Sequence, residues 1–437
     1  MGTHDGPESR TNAYWLELDK KYRIVSRPPA PYVLERGEGI YIYDVEGNQF
    51  IDCESGQVCV GVGHCHPAIK EAAIAQMGKI MQTGLQFTNI PSILLGEKLA
   101  KLSPGNLNKS YFANGGGEAN EAALRMAKKA TGRYEVVSLV GAYHGRGGGA
   151  ASISTRPAGG RKGYGPILPG TLGVPACDMY RCPFEGCKAG CNLACVDYAE
   201  DLINRCAGEP AVFFIEAMSV GDAGMRFPTK EWVQRIRELC TRRGILMAVD
   251  ECVTGIGRTG EWFAMQYHGV VPDILTCSKM LGGGVPLSGV LVTEDLGKTL
   301  EEKGYVEGSS HSFDPFVCAV GLANIEVMEQ EAMLENAKKQ GEFILNSLKA
   351  MALEHEWMGY VDGRGLLIGV EIVEDSVSKT PAPSIAAKWT KECLKREVSL
   401  GAAYYGAHIR RIAPPLIITR EQSEILVQAM ADAAKAV

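Results

Sequence analysis

One pattern dominates the middle of the sequence. From about residue 67 to 330 a short apolar run is followed by a stretch with helical spacing, and the alternation repeats. The runs Glu135–Val140, Ala211–Ile215, Ile245–Val249, Asp273–Cys277 and Gly289–Val292 are apolar and mostly do not alternate with polar residues. Such runs suit strands buried on both faces. Strands separated by amphipathic helices imply a mostly parallel sheet with helices on either side, an α/β fold. Helical spacing is clear at Gly117 to Gly132, Thr229 to Gly244 and Ala319 to Gln330. In the second, Trp232, Val233, Ile236, Leu239 and Cys240 share one face, Thr229 is the expected N-cap and Gly244 the expected stop.

The flanks read differently. The first ~35 residues are polar and punctuated by proline. The segment Arg36–Asn48 has a β-branched and aromatic centre and reads as a strand that ends in the turn Glu46-Gly47-Asn48. The last ~100 residues read as a smaller α+β unit: helix near Asn336–His355, strand Leu366–Ile372, helix near Ser384–Glu397, and a last helix after Thr419. We therefore expect an N-terminal segment over 1–66, a large domain over 67–330 and a small domain over 331–437. Four hundred and thirty-seven residues are enough for two or three domains.

Charge narrows the partners. Forty-five Lys and Arg stand against 51 Asp and Glu, so nothing favours nucleic acid or an anionic membrane surface. No apolar run approaches a membrane span. Residues Met1–Arg10 lack the apolar core of a signal peptide, and the expected location is the cytoplasm. The 14 cysteines then read as mostly reduced thiols.

In open α/β sheets, ligands sit beyond the carboxyl ends of the strands. Here those ends carry reactive groups. Glu135–Val140 runs into Gly141-Ala142-Tyr143-His144-Gly145, Ala211–Ile215 ends in Glu216, Ile245–Val249 ends in Asp250-Glu251, and Asp273–Cys277 ends in Ser278-Lys279. A glycine run, Asn114-Gly115-Gly116-Gly117-Glu118-Ala119-Asn120, opens a helix. Each piece suits one part of pyridoxal phosphate. Free amides at a helix N-terminus suit the phosphate. A lysine forms an imine with the aldehyde, a buried carboxylate keeps the pyridine nitrogen protonated, and an aromatic side chain covers the ring. Singly, each signal has a bland reading: Lys279 a solvated charge, Asp250 a strand-end or capping carboxylate, the glycines a turn, Tyr143 a core residue. Their joint order in one sheet carries the argument.

The strings Asn114–Asn120, Asp250 to Gly260 and Asp273 to Gly284 resemble those of the class III aminotransferases, over nearly the whole chain. Within that family Ser55-Gly56-Gln57, Gly63-His64-Cys65-His66-Pro67, His311 through Asp314-Pro315, and Arg411-Ile412-Ala413-Pro414-Pro415-Leu416 resemble the 2,2-dialkylglycine decarboxylases. The resemblance implies the fold-type I architecture and a homodimer with sites at the subunit interface. It implies that Lys279 is the Schiff-base lysine and proton shuttle, that Asp250 pairs with the pyridine nitrogen, and that Tyr143 stacks on the ring beside His144. Gly116 and Gly117 would give phosphate-binding amides, and Ser310 would reach the phosphate of the neighbouring subunit. Arg411 would bind a substrate carboxylate through its fork. Gln57 matches the glutamine that holds the carboxylate to be lost, Glu216 is a pocket carboxylate, and Asp314 matches a ligand of an alkali-metal site.

The sequence departs from the family at several points. Gly115 stands where a hydroxyl is usual in the phosphate loop, Val253 where many relatives place Gln near the ring hydroxyl, and Ala217 where Pro follows Glu216. The stretch Met218–Gly224, which shapes the substrate pocket, also differs. Gly255-Ile256-Gly257-Arg258-Thr259-Gly260 fits a dinucleotide fingerprint, yet the acidic pair Asp250-Glu251 precedes it and a tight turn is the favoured reading. Cys177, Cys182, Cys187, Cys191 and Cys195 lack the paired spacing of a firm zinc site; plain thiols come first, a metal or a partial disulfide after. His64 and His66 read as loop-shaping residues.

The expected function is a pyridoxal-phosphate enzyme acting on amino acids or amines and oxo acids. The leading expectation is decarboxylation-dependent transamination with an acceptor such as pyruvate, from Gln57 together with Arg411. The rivals are plain aminotransfer, a racemase or carbon–carbon bond-forming enzyme on the same scaffold, and a non-catalytic protein of this fold.

Overall fold

The computed structural model describes residues 11–24, 29–156, 163–187, 190–206, 208–218, 224–402 and 406–437. Three sheets organise it. The first contains β1 (Leu34–Glu38), β2 (Tyr41–Asp44) and β3 (Gln49–Asp52). The expected single strand over 36–48 is thus a hairpin: Glu38 pairs with Tyr41 across Gly39-Ile40, and Gly39 takes a φ of 56° that suits glycine. The second turn, Glu46-Gly47-Asn48, leads into β3. Asp44 holds it by accepting from the backbone N–H of Glu46 and Asn48 at 3.0 and 2.8 Å.

The central sheet has seven strands: β4 (Lys109–Ala113), β5 (Val136–Leu139), β6 (Thr171–Val174), β7 (Val212–Glu216), β8 (Leu246–Glu251), β9 (Ile274–Cys277) and β10 (Ser288–Val292), in the order β4-β10-β9-β8-β7-β5-β6. The run β9-β8-β7-β5-β6 is parallel, and β10 is antiparallel to both of its neighbours. Successive residues feed opposite faces, as strand geometry requires. Phe213 packs with Trp232, Val233 and Ile236 of helix Lys230–Arg243. Its neighbour Phe214 packs with Ala119 and Ala123 of helix Gly116–Thr131. Helix Lys230–Arg243 ends as its sequence dictates: the Thr229 hydroxyl accepts from Trp232 N–H, and Gly244 stops it at φ 60°.

The third sheet contains β11 (Met358–Arg364), β12 (Leu367–Ile372), β14 (Gly401–Ala402) and β15 (Ile409–Ile412), with β13 (Val398–Ser399) joining the first sheet beside β3. N-terminal and C-terminal segments therefore share a sheet, which makes the smaller α+β part of the molecule discontinuous in sequence. Helices Met333–Glu354, Pro383–Leu394 and Arg420–Ala434 cover these strands. Among the described residues no helix is long and apolar enough to cross a membrane.

Candidate active site

Four strand ends converge on one cavity of about 400 Å³, lined by Gly116, Gly117, Asn120, Tyr143, His144, Gly145, Arg146, Glu216, Asp250, Cys252, Val253, Ser278 and Lys279. The register explains the convergence. Glu216 of β7 lies opposite Asp250 of β8, and Asp250 lies opposite Thr276 of β9. Alternation also separates the acidic pair. Asp250 faces the cavity, whereas Glu251 points the other way and accepts from the N–H groups of Ala264 and Met265 and from the Thr254 hydroxyl at 2.8 to 2.9 Å. Burial pushes Glu251 up to about 7 despite those bonds.

Asp250 is buried yet held charged. His144 Nδ1 lies 2.8 Å from its Oδ2, Asn120 Nδ2 donates to the same oxygen at 2.7 Å, and Cys252 N–H donates to Oδ1 at 2.9 Å. Burial alone would raise Asp250, but the His144 hydrogen bond and charge, with Cys252, bring it below its ordinary value. Asn120 is itself fixed: Thr276 donates to its Oδ1 at 2.7 Å, and its Nδ2 also reaches the His144 carbonyl at 2.8 Å. A group that needs a proton kept on a ring nitrogen therefore meets a permanent anion here.

Lys279 follows β9 after the single residue Ser278 and takes a φ of 45°, the left-handed region in which a side chain is strained. A short turn, Lys279–Gly282, and the left-handed Gly283 then carry the chain away. The phosphate cradle is equally specific. A Cβ at Gly116 would lie 2.8 Å from Cys252 Sγ, and one at Gly145 would lie 2.6 Å from Gly117 Cα. First-turn amides of a helix have no intrahelical acceptor, so the start of Gly116–Thr131 offers donors to an anion. Tyr143 carries the Arg156 guanidinium 4.0 Å from its ring centroid, which fixes one ring edge of the cavity. The cavity, charged carboxylate, lysine and glycine cradle fit pyridoxal phosphate.

The other sequence candidates lie elsewhere. Gly115 caps the helix with open space around it and does not line the cavity. Ser310 is exposed and outside the cavity, where its carbonyl accepts from Gln82. Asp314 precedes helix Pro315–Gln330; its Oδ2 lies 2.7 Å from His311 Nδ1, and its buried Oδ1 meets no hydrogen-bond donor among the described residues.

Gln57 and Arg411 form a second group beside the cavity. The segment Ser55–Val58 is sharply kinked, with φ of 48° at Ser55, 69° at Gly56 and 61° at Val58. Ser55 is held by the Ala413 carbonyl and by Arg258 Nη2 at 3.1 Å. Val58, Val253 and Ala413 share one apolar cluster, which ties this segment to the cavity wall. Cys59 connects the two sides: its thiol is raised by burial, and the charges of Lys279 and Arg411 oppose that rise. Arg411, on β15, is fully buried with its fork on Glu54: Nε to Oε1 at 3.0 Å and Nη2 to Oε2 at 2.6 Å. Burial raises Glu54 above its ordinary value while Arg411 pulls against the rise.

Asn120, Cys252, Arg156 and Glu54 were not among the sequence candidates. Asn120 had a usable signal, since it stands three and four residues after Gly117 and Gly116 and so shares their helical face. Glu54 had none. Residues 219–223, most of the divergent Met218–Gly224 stretch, lie outside the described residues.

The glycine motif is structural. Gly255–Gly260 forms buried turns closed by Gly255 N–H to the Glu251 carbonyl at 2.9 Å and Ile256 N–H to that of Trp262 at 2.6 Å, and it opens no helix. All 14 cysteines are unbonded thiols, and Cys195 Sγ accepts from Trp232 Nε1 at 3.1 Å. Among the described residues no group of three or more His, Cys, Asp or Glu is placed to hold a metal. His64 Nε2 sits 2.8 Å from Asp52, and His66 Nε2 sits 3.1 Å from Glu331, both in keeping with a loop-shaping role.

Comparison with known proteins agrees with this chemistry. The family pattern "Aminotransferase class-III" matches residues 23–434. An uncharacterized aminotransferase of Schizosaccharomyces pombe is 34% identical over 94% of this chain and 92% of its own length. The acetylornithine aminotransferase of Archaeoglobus fulgidus is 32% identical over 95% and 99%. The leucine/methionine racemase of Thermococcus litoralis is 34% identical over 90% and 88%. Among solved structures, an (S)-enantioselective omega-transaminase from Thermomicrobium roseum superposes with a TM-score of 0.88 at 32% identity, covering 97% of this chain and 98% of that one. The omega-transaminase of Pseudomonas jessenii in complex with PMP superposes at 0.90 and 27% identity, covering 96% and 97%. Fold, cavity and relatives converge: the chain belongs to the class III aminotransferases, enzymes of fold type I that use pyridoxal 5'-phosphate.

Proposed function

We propose that the chain transfers an amino group from an amino acid or amine to an oxo acid, with Lys279 moving the proton at the substrate α-carbon. The observation that carries this reading is Lys279 on its strained turn, in one cavity with the charged Asp250 and the Gly116-Gly117 cradle. Pyridoxal phosphate, when bound, supplies a conjugated ring that accepts the electrons of a bond broken at that carbon. The residues do the rest. Gly116 and Gly117 would hold the phosphate by backbone amides. Asp250 would keep a proton on the ring nitrogen, with His144, Asn120 and the Cys252 amide holding Asp250 in place. Tyr143 and Val253 would bound the ring. Lys279 would take the proton from the substrate α-carbon and deliver it on the cofactor's side of the substrate nitrogen for aminotransfer, or return it to the carbon it left for racemisation. Arg411 is the group suited to a substrate carboxylate, and Glu216 closes the pocket from β7.

A second reading is decarboxylation-dependent transamination. The pinned, kinked Ser55–Val58 segment favours it: its Gln57 carbonyl accepts from the Cys59 thiol, which feels the Lys279 charge, and the Gln57 amide would serve as a holder for a carboxylate out of the ring plane. A bond standing perpendicular to the ring breaks most readily, so such a holder would direct CO2 loss. We also propose a homodimer. Leu85, Phe87, Ile90, Ile93 and Leu94 form an exposed apolar run of the kind that monomers rarely leave uncovered, and exposed Ser310, whose carbonyl accepts from Gln82, would serve the partner's site. The orphaned Asp314 Oδ1 suits an alkali-metal ion.

The test uses pyridoxal-phosphate-loaded protein with pyruvate and a panel of amino donors that includes 2-aminoisobutyrate. Alanine formed from donors with an α-hydrogen, without CO2, supports the first reading. Acetone, CO2 and alanine in equal amounts from 2-aminoisobutyrate supports the second. No alanine from any donor sinks both.

A further inference from the structure

A cavity of about 410 Å³ lies apart from the cofactor cavity and shares no lining residue with it. It sits where the start of helix Lys230–Arg243, on the central sheet, meets β11 of the third sheet. Junctions of this kind are common places for small ligands. One cation reaches it from each side of the junction, Lys230 from the helix and Arg364 from the end of β11. Both ride on Tyr267: the Arg364 guanidinium carbon lies 3.4 Å from the ring centroid, and Lys230 Nζ lies 4.3 Å from it. The ring attracts each cation but carries no net charge, so it gathers the two without cancelling them.

No protein group supplies the missing anion. Among the described residues neither cation has a carboxylate within ion-pair distance, and the buried Arg364 Nε meets no acceptor. A buried N–H without an acceptor is costly, so such an atom marks a place where an acceptor belongs. The acidic neighbours are turned elsewhere. Asp362 accepts from the N–H groups of Phe227 and Gly363 at 3.2 and 2.8 Å, and the charges acting on it are those of Lys349 and Arg226. Glu231 is exposed at the rim. The uncancelled charge reaches inward: burial pushes the His268 ring down to about 4, and Arg364 and Lys230 add to the fall. The helix contributes the same sign. The Thr229 hydroxyl takes up Trp232 N–H, while the N–H groups of Lys230 and Glu231 stand in the first turn, where no intrahelical acceptor exists.

We propose that this junction binds a small phosphate-bearing anion between Lys230 and Arg364, which ties helix Lys230–Arg243 to the third sheet. The two cations differ in form, and a tetrahedral oxyanion uses both. The guanidinium offers parallel donors to two oxygens, and the ammonium meets a third as a point charge. The cavity volume falls within the range of small-molecule sites, roughly 300–1,000 Å³, which leaves room for more than the phosphate itself. No bond is made or broken.

The test uses cofactor-loaded protein freed of excess cofactor, so that the cradle at Gly116 and Gly117 is already filled. Inorganic phosphate and glycerol 3-phosphate are titrated by calorimetry at one ionic strength set with chloride, and the thermal midpoint is followed in parallel. The expected result is saturable binding at a single site per chain, with a rise in the midpoint. Lys230→Gln and Arg364→Gln should each weaken binding about tenfold or more, the scale of one charge-assisted hydrogen bond. Glu231→Gln, which removes a negative charge from the rim, should tighten it, a gain that poor folding cannot mimic. Lys230 is exposed, so its replacement leaves the core intact. Equal affinity for the two anions would support the proposal with inorganic phosphate as the ligand. Preference for the ester would support it with a phosphorylated metabolite. The proposal falls if neither anion binds saturably. It falls equally if binding survives both Lys230→Gln and Arg364→Gln unchanged, because the anion then lies elsewhere.

Discussion

Asp250 and Lys279 close neighbouring strands of one sheet, whereas Glu54 and Arg411 stand 357 residues apart and meet only where the first and third sheets abut. On the cofactor side, strand register and a helix start place every group, and a network of buried hydrogen bonds around Asp250 removes slack. On the Arg411 side, proposed above to meet the substrate, short strands and a kinked turn place the groups, with left-handed residues at Ser55 and Val58 holding an otherwise unfavourable path. The contrast separates two tasks. A common ring chemistry needs a rigid half; a choice among substrates needs a half that can be rebuilt. The relatives fit this division, since proteins named as aminotransferases and as a racemase match the same chain at similar identity.

The contrast sharpens most with Lys279→Ala. Turnover should fall at least about 10³-fold, within the range for removing a positioned proton-transfer group, while the thermal midpoint holds or rises, because alanine loses no packing on that left-handed turn. Residual turnover within tenfold of wild type would break the assignment. Asp250→Asn keeps the shape and removes the charge, and kcat should fall about 10²–10³-fold, the usual scale for losing one preorganised charge contact. Stopped-flow turnover checks it, and an effect confined to KM would argue that Asp250 is only structural. Gly116→Ala should destabilise the cofactor-free protein by about 1–3 kcal/mol through overpacking against Cys252 and weaken cofactor binding. A Cys252→Ala change in the same chain should recover most of the stability in denaturant titrations, and failure to recover would mean that the contact is not the cause.

The smallest effect concerns pH. Glu251, raised to about 7 from an ordinary 4.5, binds its proton more tightly folded than unfolded. The stability it contributes is therefore complete below about pH 4.5 and is lost as pH rises through about 7. Relative to Glu251→Gln, wild type should lose on the order of 1 kcal/mol across that window. Unfolding free energies at several pH values would show it, and a parallel pair of curves would show that folding leaves the affinity of this carboxyl for its proton unchanged.

Much of the rigid half was legible in the sequence. The five apolar runs are strands within a residue or two at either end, and Thr229 and Gly244 bound their helix as expected. The strands that sequence reasoning passed over, β4 and β6, are the two edges of the sheet. Edge strands are short and polar, and Lys109-Ser110 and Thr171-Leu172-Gly173 carry too little apolar signal to stand out. Helix Asn12–Tyr22 hid in a segment read as merely polar, since only Asn12 of it is buried. Asp250 and Lys279 were legible because strand ends announce themselves locally. Glu54 was not, because its meaning depends on a partner across the fold. The family resemblance already favoured Asp250 over Glu251, and the sheet supplies the physical reason by turning adjacent side chains to opposite faces.

The parallel pairing of β13 with β3, together with the bond from Ala413 N–H to the Cys53 carbonyl, has a consequence for the order of assembly during synthesis. Every residue that lines the cofactor cavity lies between Gly116 and Lys279, so a growing chain has made that half long before Arg411 leaves the ribosome. Until then the segment Glu54–Val58 has Arg258 and Val253 to pack upon but lacks the Ala413 carbonyl and the Arg411 fork. The nascent protein passes through a stage in which the residues lining the cofactor cavity are all made while the guanidinium fork proposed for the substrate is still to come.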